Sequence, residues 1–185
     1  MQAQPSVIAT GDFLYFAPAG KAFTVPGAGT VSATSKPGAT DTIWTTYVLG
    51  TVMKPSQDKY SGKAVTIKSP MPGTGIVVPQ NIIRPSHELT MEVELNELSR
   101  LAVAGFYKAA LIETGDTVYN ALSRAEGIQG WLKRQRYDHD GNVIAVDDWW
   151  VDLDCTDLAT QANENIINPK FVFTWLYSPL AGSAI

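Results

Sequence analysis

The sequence predicts a mainly β fold of the α+β type: a β-sandwich or small barrel with one flanking α-helix and a long protruding hairpin. Three observations lead there. Residues 89–95 alternate strictly, with Leu89, Met91, Val93 and Leu95 apolar and Thr90, Glu92 and Glu94 polar, the period of a strand with one buried face. From Asn96 the period lengthens. Leu98, Leu101, Ala102, Gly105 and Ala109 recur at steps of three and four, as on an amphipathic helix. The final third is then rich in β-branched and aromatic residues between turn signals.

Taken in order, the chain offers a short strand over Asp12–Ala17, with Phe13, Tyr15 and Ala17 on one face. Residues 18–42 are rich in Gly, Pro, Ala, Ser and Thr and read as loop or extended edge rather than core. Such long loops inside compact domains are usually functional or ordered by a partner. Ile43–Met53 reads as a strong strand, with Gly50 permitting a bend or bulge. In residues 54–87 the pieces 64–68 and 75–78 lie among Pro55, Pro70, Pro72, Pro79 and Pro85. Proline cannot donate to a ladder, so they suit a protruding hairpin that needs another surface, not a central sheet. The helix is expected over 97–111, with Asn96 as N-cap, Glu97 in the first turn and Gly115 as the stop. Residues 115–126 are ambiguous. Strands follow at 128–137 and 142–154, joined by the turn Asp138-His139-Asp140-Gly141. Residues 155–170 read as irregular, and 171–177 as a closing strand with Phe171, Phe173, Trp175 and Tyr177 on one face. The total is about six or seven strands and one helix.

With 185 residues the chain suits a single domain, 1–185, burying roughly 70% of its unfolded surface. Charged residues make up 17%, below the usual ~25%, which suits a chain that spends surface on partner subunits. A net charge of −4 gives no basic field for nucleic acid. Cys155, the single cysteine, excludes an internal disulfide, and no Cys/His spacing suggests zinc. The N-terminus lacks the pattern of a signal peptide, and no apolar run is long enough for a bilayer. A cytosolic, non-membrane protein is expected.

Candidate chemistry is sparse. Asp138, Asp140 and Asp147 lack the ligand spacing of a calcium loop, and a hairpin turn accounts for the first two. Glu92 and Glu94 share a strand face, as glycosidase carboxylates would, yet an exposed polar face explains them more simply. Asp147, Asp148, Asp152 and Asp154 surround Trp149 and Trp150 and suit a solvated or interface face. His87 and His139 accompany no nucleophile motif. The Gly-x-Gly pairs at 27–29 and 73–75 precede neither a helix nor a Lys-Ser/Thr pair, so phosphate binding is unsupported. Arg134 and Arg136 share a face opposite Lys133, and pairing with Asp147 or Asp152 across the hairpin is preferred to a phosphate groove. No enzyme site, cofactor or metal is expected.

Residues 89–109, LTMEVELNELSRLAVAGFYKA, resemble the strand-to-helix unit of the major tail tube proteins of long-tailed bacteriophages, most specifically in ELNELS at 94–99. The strand YVLGTV at 47–52, the Pro/Gly-containing excursion after it and the hairpin before an aromatic C-terminal strand are similar too. Residues 18–42 have no counterpart in the family pattern.

The resemblance implies a tail-tube-like β-sandwich or small barrel. Its subunits form homohexameric rings stacked into a virion tail tube, assembled in the host cytoplasm. A tape measure protein fills the tube, terminator and baseplate or tip proteins bound it, and DNA passes during ejection without specific binding. Residues 54–87 then become an inter-ring hairpin. Interface contacts are expected from Lys54, Tyr60, Lys63, Val65, Ile67, Met71, Ile76, Val78, Trp149 and Trp150, and helix packing from Leu98, Leu101 and Ala102. A neutral to acidic lumen is expected, because rows of Lys or Arg would brake passing DNA. Two alternatives stand beside this reading. One is a tail terminator or adaptor ring, which closes on itself instead of polymerising. The other is a carbohydrate-binding β-sandwich with Trp131, Trp149, Trp150 and Trp175 as stacking platforms. Adjacent Trp149 and Trp150 must point to opposite faces, which calls for a second buried surface such as a subunit interface.

Overall fold

The computed structural model describes residues 10–53, 57–70, 77–96, 99–107, 128–157, 160–162, 165–180 and 182–184. It is mainly β, as expected. The main sheet is built from β1 (Gly11–Pro18), β4 (Val48–Thr51), β5 (Gln57–Pro70), β6 (Val77–Glu94), β7 (Ile128–Tyr137), β8 (Val143–Asp157) and β11 (Lys170–Trp175). These run antiparallel in the order β4-β1-β7-β8-β11-β6-β5, and β12 (Gly182–Ala184) pairs with β8.

The path closes on itself. Val52 bridges Leu95, the Met53 N–H donates to the Glu94 carbonyl at 2.9 Å, and the Asn96 N–H donates to the Thr51 carbonyl at 3.2 Å. The chain just after β4 therefore reaches the end of β6, giving a small barrel. Alternation decides which side chains enter it. Leu14, Phe16, Leu49, Met91, Val93, Leu95, Leu132, Val151, Leu153, Phe171 and Phe173 form one buried cluster inside. Phe171 and Phe173 stack with ring centroids 6.0 Å apart.

Several sequence expectations are corrected here. Ile43–Met53 is not one strand: Ile43–Thr46 form a helical turn, α1, and only β4 is extended. Asp41 Oδ1 accepts the Ile43 N–H at 2.8 Å, and the Thr45 and Thr46 hydroxyls bond back to the Thr42 carbonyl. These local bonds override the strand preference of β-branched side chains. Gly50 does serve the expected bend, with φ +111° beside an irregularity in the β1–β4 register.

The pieces 64–68 and 75–78 belong to far longer strands, β5 and β6, so the hairpin is continuous with the alternating segment and His87 lies within a strand. Proline is tolerated because β5 is an edge strand and β6, from Val77 to Leu89, is paired on one side only among the described residues. Pro85 also falls at the register shift opposite Lys63 and Val65, and Pro79 borders the second shift. Cys155–Asp157 continue β8, and residues 160–167 carry a small hairpin of β9 (Thr160–Ala162) and β10 (Asn165–Ile167), where polar, aperiodic sequence suggested neither. The closing strand stops at Trp175, leaving Tyr177 88% exposed.

The described helix, α2, spans Arg100–Tyr107. Asn96 does not cap it, since the helix begins only at Arg100 and Asn96 lies four residues before that start. Ser99 does so instead, its hydroxyl accepting the Ala102 N–H at 3.2 Å, and no acidic residue lies in the first turn. Leu98, residues 108–111 and the proposed stop at Gly115 lie outside the described residues. Leu101 and Ala102 are buried with the barrel cluster, as expected. Gly105 lets the helix approach β8 closely, because a Cβ there would stand 2.7 Å from Leu153 Cδ2.

The largest correction concerns residues 18–42. This segment is not peripheral. With β2 (Ala22–Phe23), β3 (Gly29–Thr30) and α1 it forms a cap over the outside of β1, β7 and β8. Phe23, Val31, Ile43 and Trp44 pack there against Ala17, Trp131 and Trp150 in a second buried cluster. Trp150 thus finds its apolar surface within its own chain, while Trp149 faces the barrel cluster.

One carboxylate organises the cap. Asp41 Oδ2 accepts the Thr24 and Val25 N–H groups, both at 2.7 Å, and the Thr24 hydroxyl at 3.2 Å. The Ile43 N–H, with these further donors, outweighs burial and holds the Asp41 carboxyl below its ordinary range. Its stabilisation is complete above the unfolded value near 3.8 and is lost as pH falls through the depressed folded value. Asp41→Asn should cost about 1–2 kcal/mol at pH 7. Its deficit against wild type should shrink below pH ~4 in thermal melts. A deficit constant down to pH ~2 would contradict this linkage.

Candidate functional site

Two features of the barrel are candidates for function: the ribbon that leaves it and the charged cluster at the ribbon's root. β6 shares its second edge with β11 only from Thr90 to Glu94. From Val77 to Leu89 its partner among the described residues is β5 alone, so a two-stranded ribbon extends beyond the barrel. β5 has an unpaired outer edge among the described strands. Exposed edges are templates for pairing with another chain, and an isolated two-stranded hairpin is marginally stable.

Of the predicted interface residues, Tyr60 lies on this edge strand and is 63% exposed. Lys63, Val65, Ile67 and Val78 occupy ribbon positions. Lys54, Met71 and Ile76 fall outside the described residues. Trp149 is half-buried beside Trp175, with ring centroids 6.0 Å apart, and the Trp175 Nε1 is buried with no hydrogen-bond partner among the described residues. Trp150 is covered by the cap, and so is Trp131, whose Nε1–H donates to the Ser32 carbonyl at 2.9 Å. Neither offers a stacking face for a sugar.

The basic cluster divides between the two faces, as alternation requires. Lys133 points outward under the cap, donating to the Ala39 carbonyl at 3.1 Å with its Nζ 4.0 Å from the Trp44 ring centroid. Burial pushes its amine below the ordinary lysine range, with Lys36 adding to the shift and Asp148 opposing it. Lys36 binds Asp148 at 3.0 Å across the same cap.

Arg134 points into the barrel, its side chain only 5% exposed. Its Nε donates to Asp147 Oδ2 at 3.0 Å, and its Nη1 to Asp58 Oδ1 at 3.0 Å and Met91 Sδ at 3.3 Å. Its Nη2 lies 2.9 Å from Asp147 Oδ2 and 3.2 Å from Asp58 Oδ2. Burial opposes the charge, but Asp58 and Asp147 overcome it and hold the guanidinium above its usual value. Arg136 also binds Asp147, at 2.7 Å. Pairing with Asp147 matches the expectation. The contact with Asp58 had no sequence signal, because residue 58 sits in an aperiodic polar stretch.

The remaining candidates resolve into structure. Asp138 Oδ1 accepts the Asp140 and Asn142 N–H groups at 2.9 and 2.8 Å, and Gly141 has φ +82°, so the segment is a hairpin turn. Asp147 takes no part in it. Glu92 is exposed and pairs with Lys59 at 2.7 Å. Among the described residues no group of three or more His, Cys, Asp or Glu side chains could hold a metal ion. No described helix is long and apolar enough to cross a membrane. No family model, curated protein or solved structure matches the chain.

Proposed function

We propose that this chain is a structural subunit that assembles with copies of itself into stacked hexameric rings, as a tail tube protein of a long-tailed bacteriophage. The observation that carries the reading is the β5–β6 ribbon, a long hairpin with an open edge and, beyond the barrel, no partner but itself among the described residues. Pairing with a neighbouring copy would satisfy that edge and cover the ribbon's faces. The likeness of residues 89–109 to the family's strand-to-helix unit supports it, and so do the low charge content and net charge of −4.

On this reading the partners are the same chain, a tape measure protein inside the tube and the proteins at its ends. DNA traverses a lumen that does not grip it, and the protein resides in the virion.

Negative-stain electron microscopy of the purified chain at rising concentration tests the proposal. Hollow tubes or stacked rings are expected, and deletion of residues 61–87 with a short turn in their place should abolish them while leaving a folded barrel. A single closed ring at every concentration would point to a terminator or adaptor instead. A monodisperse monomer with saturable glycan binding would favour the sugar-binding module.

A further inference from the structure

The ribbon is long enough that its direction is set at its root. From Lys59 to Pro70 it runs up to roughly 40 Å at the rise of an antiparallel strand. A swing of about 10° at the root would displace the tip by about 7 Å, more than the ~4.8 Å between paired strands. Any partner that reads the ribbon by strand pairing therefore needs the root held.

Arg134 stands where that can be done. It belongs to β7, which is not a sheet neighbour of β5 or β6. It reaches through the barrel to Asp58, the residue of β5 in register with Met91, one position from Thr90, where β6 ceases to be shared with β11. The grip is two-pronged: Nη1 to Oδ1 at 3.0 Å and Nη2 to Oδ2 at 3.2 Å. A planar fork on a planar carboxylate fixes orientation as well as distance. The guanidinium is itself held from behind by Asp147, whose side chain is 7% exposed and also bound by Arg136. Asp58 is 40% exposed, so the clasp's strength comes from the buried Arg134, 5% exposed, and from its two-pronged geometry. On the barrel's outside the Lys59–Glu92 pair crosses the same two strands, but with both side chains about half exposed and a single contact it gives little rigidity.

We infer that Arg134 is a positioning residue for the ribbon: by crossing the barrel interior to hold Asp58, it fixes the direction in which β5 and β6 leave the barrel. The consequence for assembly rests on the function proposed above, whereas the clasp is a property of the isolated chain.

Asp58→Asn tests it, because Arg134 then keeps Asp147 and the barrel interior keeps its paired charge. Hydrogen exchange of the unassembled variant should show the amides of residues 59–63 and 86–89 exchanging about tenfold faster or more, the loss expected for charged hydrogen bonds. Amides of β7 and β8 should stay at wild-type rates, and Asp58→Glu should restore most of the protection. Where wild type forms tubes, Asp58→Asn should need at least about tenfold more protein to do so.

Wild-type exchange at the ribbon root in Asp58→Asn would overturn the inference. So would an acceleration spread equally over β7 and β8, whereas a loosened root with tubes at the wild-type concentration would uphold the clasp and overturn its consequence for assembly. If the exchange pattern appears as expected but wild type forms no tubes, the clasp is upheld and the assembly reading fails.

Discussion

Leu101→Asp is expected to lower stability by about 4 kcal/mol, because the helix would carry a carboxylate into the barrel's apolar cluster. Leu101 is 2% exposed and packs with the cluster formed by Val93, Leu95, Leu153 and Phe171. Removing the leucine side chain alone costs about 2–5 kcal/mol in a buried site. The introduced carboxyl must then stay charged without a partner or take up a proton. Its folded pKa is thereby raised, so the extra penalty is small below the unfolded value near 4 and grows as pH rises above it. For a domain of this size each kcal/mol shifts Tm by about 2–4 °C, so a fall on the order of 10 °C at pH 7 is expected. Leu101→Ala should show the packing loss without the pH dependence. Tyr60→Asp, on the exposed edge, should move stability by less than about 0.5 kcal/mol. A Leu101→Asp variant melting within about 2 °C of wild type would mean that α2 does not bury this residue.

The burial of Leu101 and Ala102 was legible because the three- and four-residue spacing survives in the folded helix. Its start was not. Asn96 and Ser99 both carry cap-competent side chains, and the helix starts at Arg100, beyond the change of period at Asn96, whose N–H instead meets the Thr51 carbonyl, so Ser99 takes the cap. The same applies to the barrel itself. Alternation along residues 89–95 shows which side chains face inward, but closure rests on the meeting of Val52 with Leu95, and no periodicity reports that contact. Within the candidate site, Asp147 was foreseeable as a hairpin partner of Arg134 because the turn fixes the register. Asp58 was not, since only the curvature of the barrel brings it across to β7.

Residues 18–42 illustrate a different limit. Gly, Pro, Ser and Thr dominate the segment, and its three large apolar residues, Phe23, Val25 and Val31, are too few to sustain a helix or strand period. The clue lay elsewhere, in the adjacent tryptophans: a strand carrying Trp149 and Trp150 must cover both of its faces. The sequence could not distinguish a partner subunit from the chain's own cap. The cap also explains why Lys133 and Lys36 do not form a basic surface, since each is tied down beneath or across it.

Trp131→Ala should be as damaging as the helix substitution, at about 3–5 kcal/mol, because it empties the centre of the second cluster. Trp131 is fully buried, its ring meets Trp150 edge-on at 5.7 Å between centroids, and its Nε1–H reaches the Ser32 and Ser35 carbonyls of the cap. Those two serines also exchange backbone hydrogen bonds with each other, so their carbonyls are not orphaned when the indole is lost. The cost is therefore mostly cavity, and Trp131→Phe, which keeps much of the volume, should lose only about 1 kcal/mol. The damage should also be local. The cap's own bonds, from Asp41 and from Lys36 to Asp148, cannot refill the space, so hydrogen exchange should accelerate first at residues 22–31 and 43–46, ahead of β6 and β11. Stability and exchange at wild-type levels in Trp131→Ala, with glycan binding abolished, would instead make Trp131 a ligand platform and the cap a lid over it. A folded variant destabilised from the cap inward would bind this tryptophan to the interior of the subunit and leave the ribbon as the surface on which a partner acts.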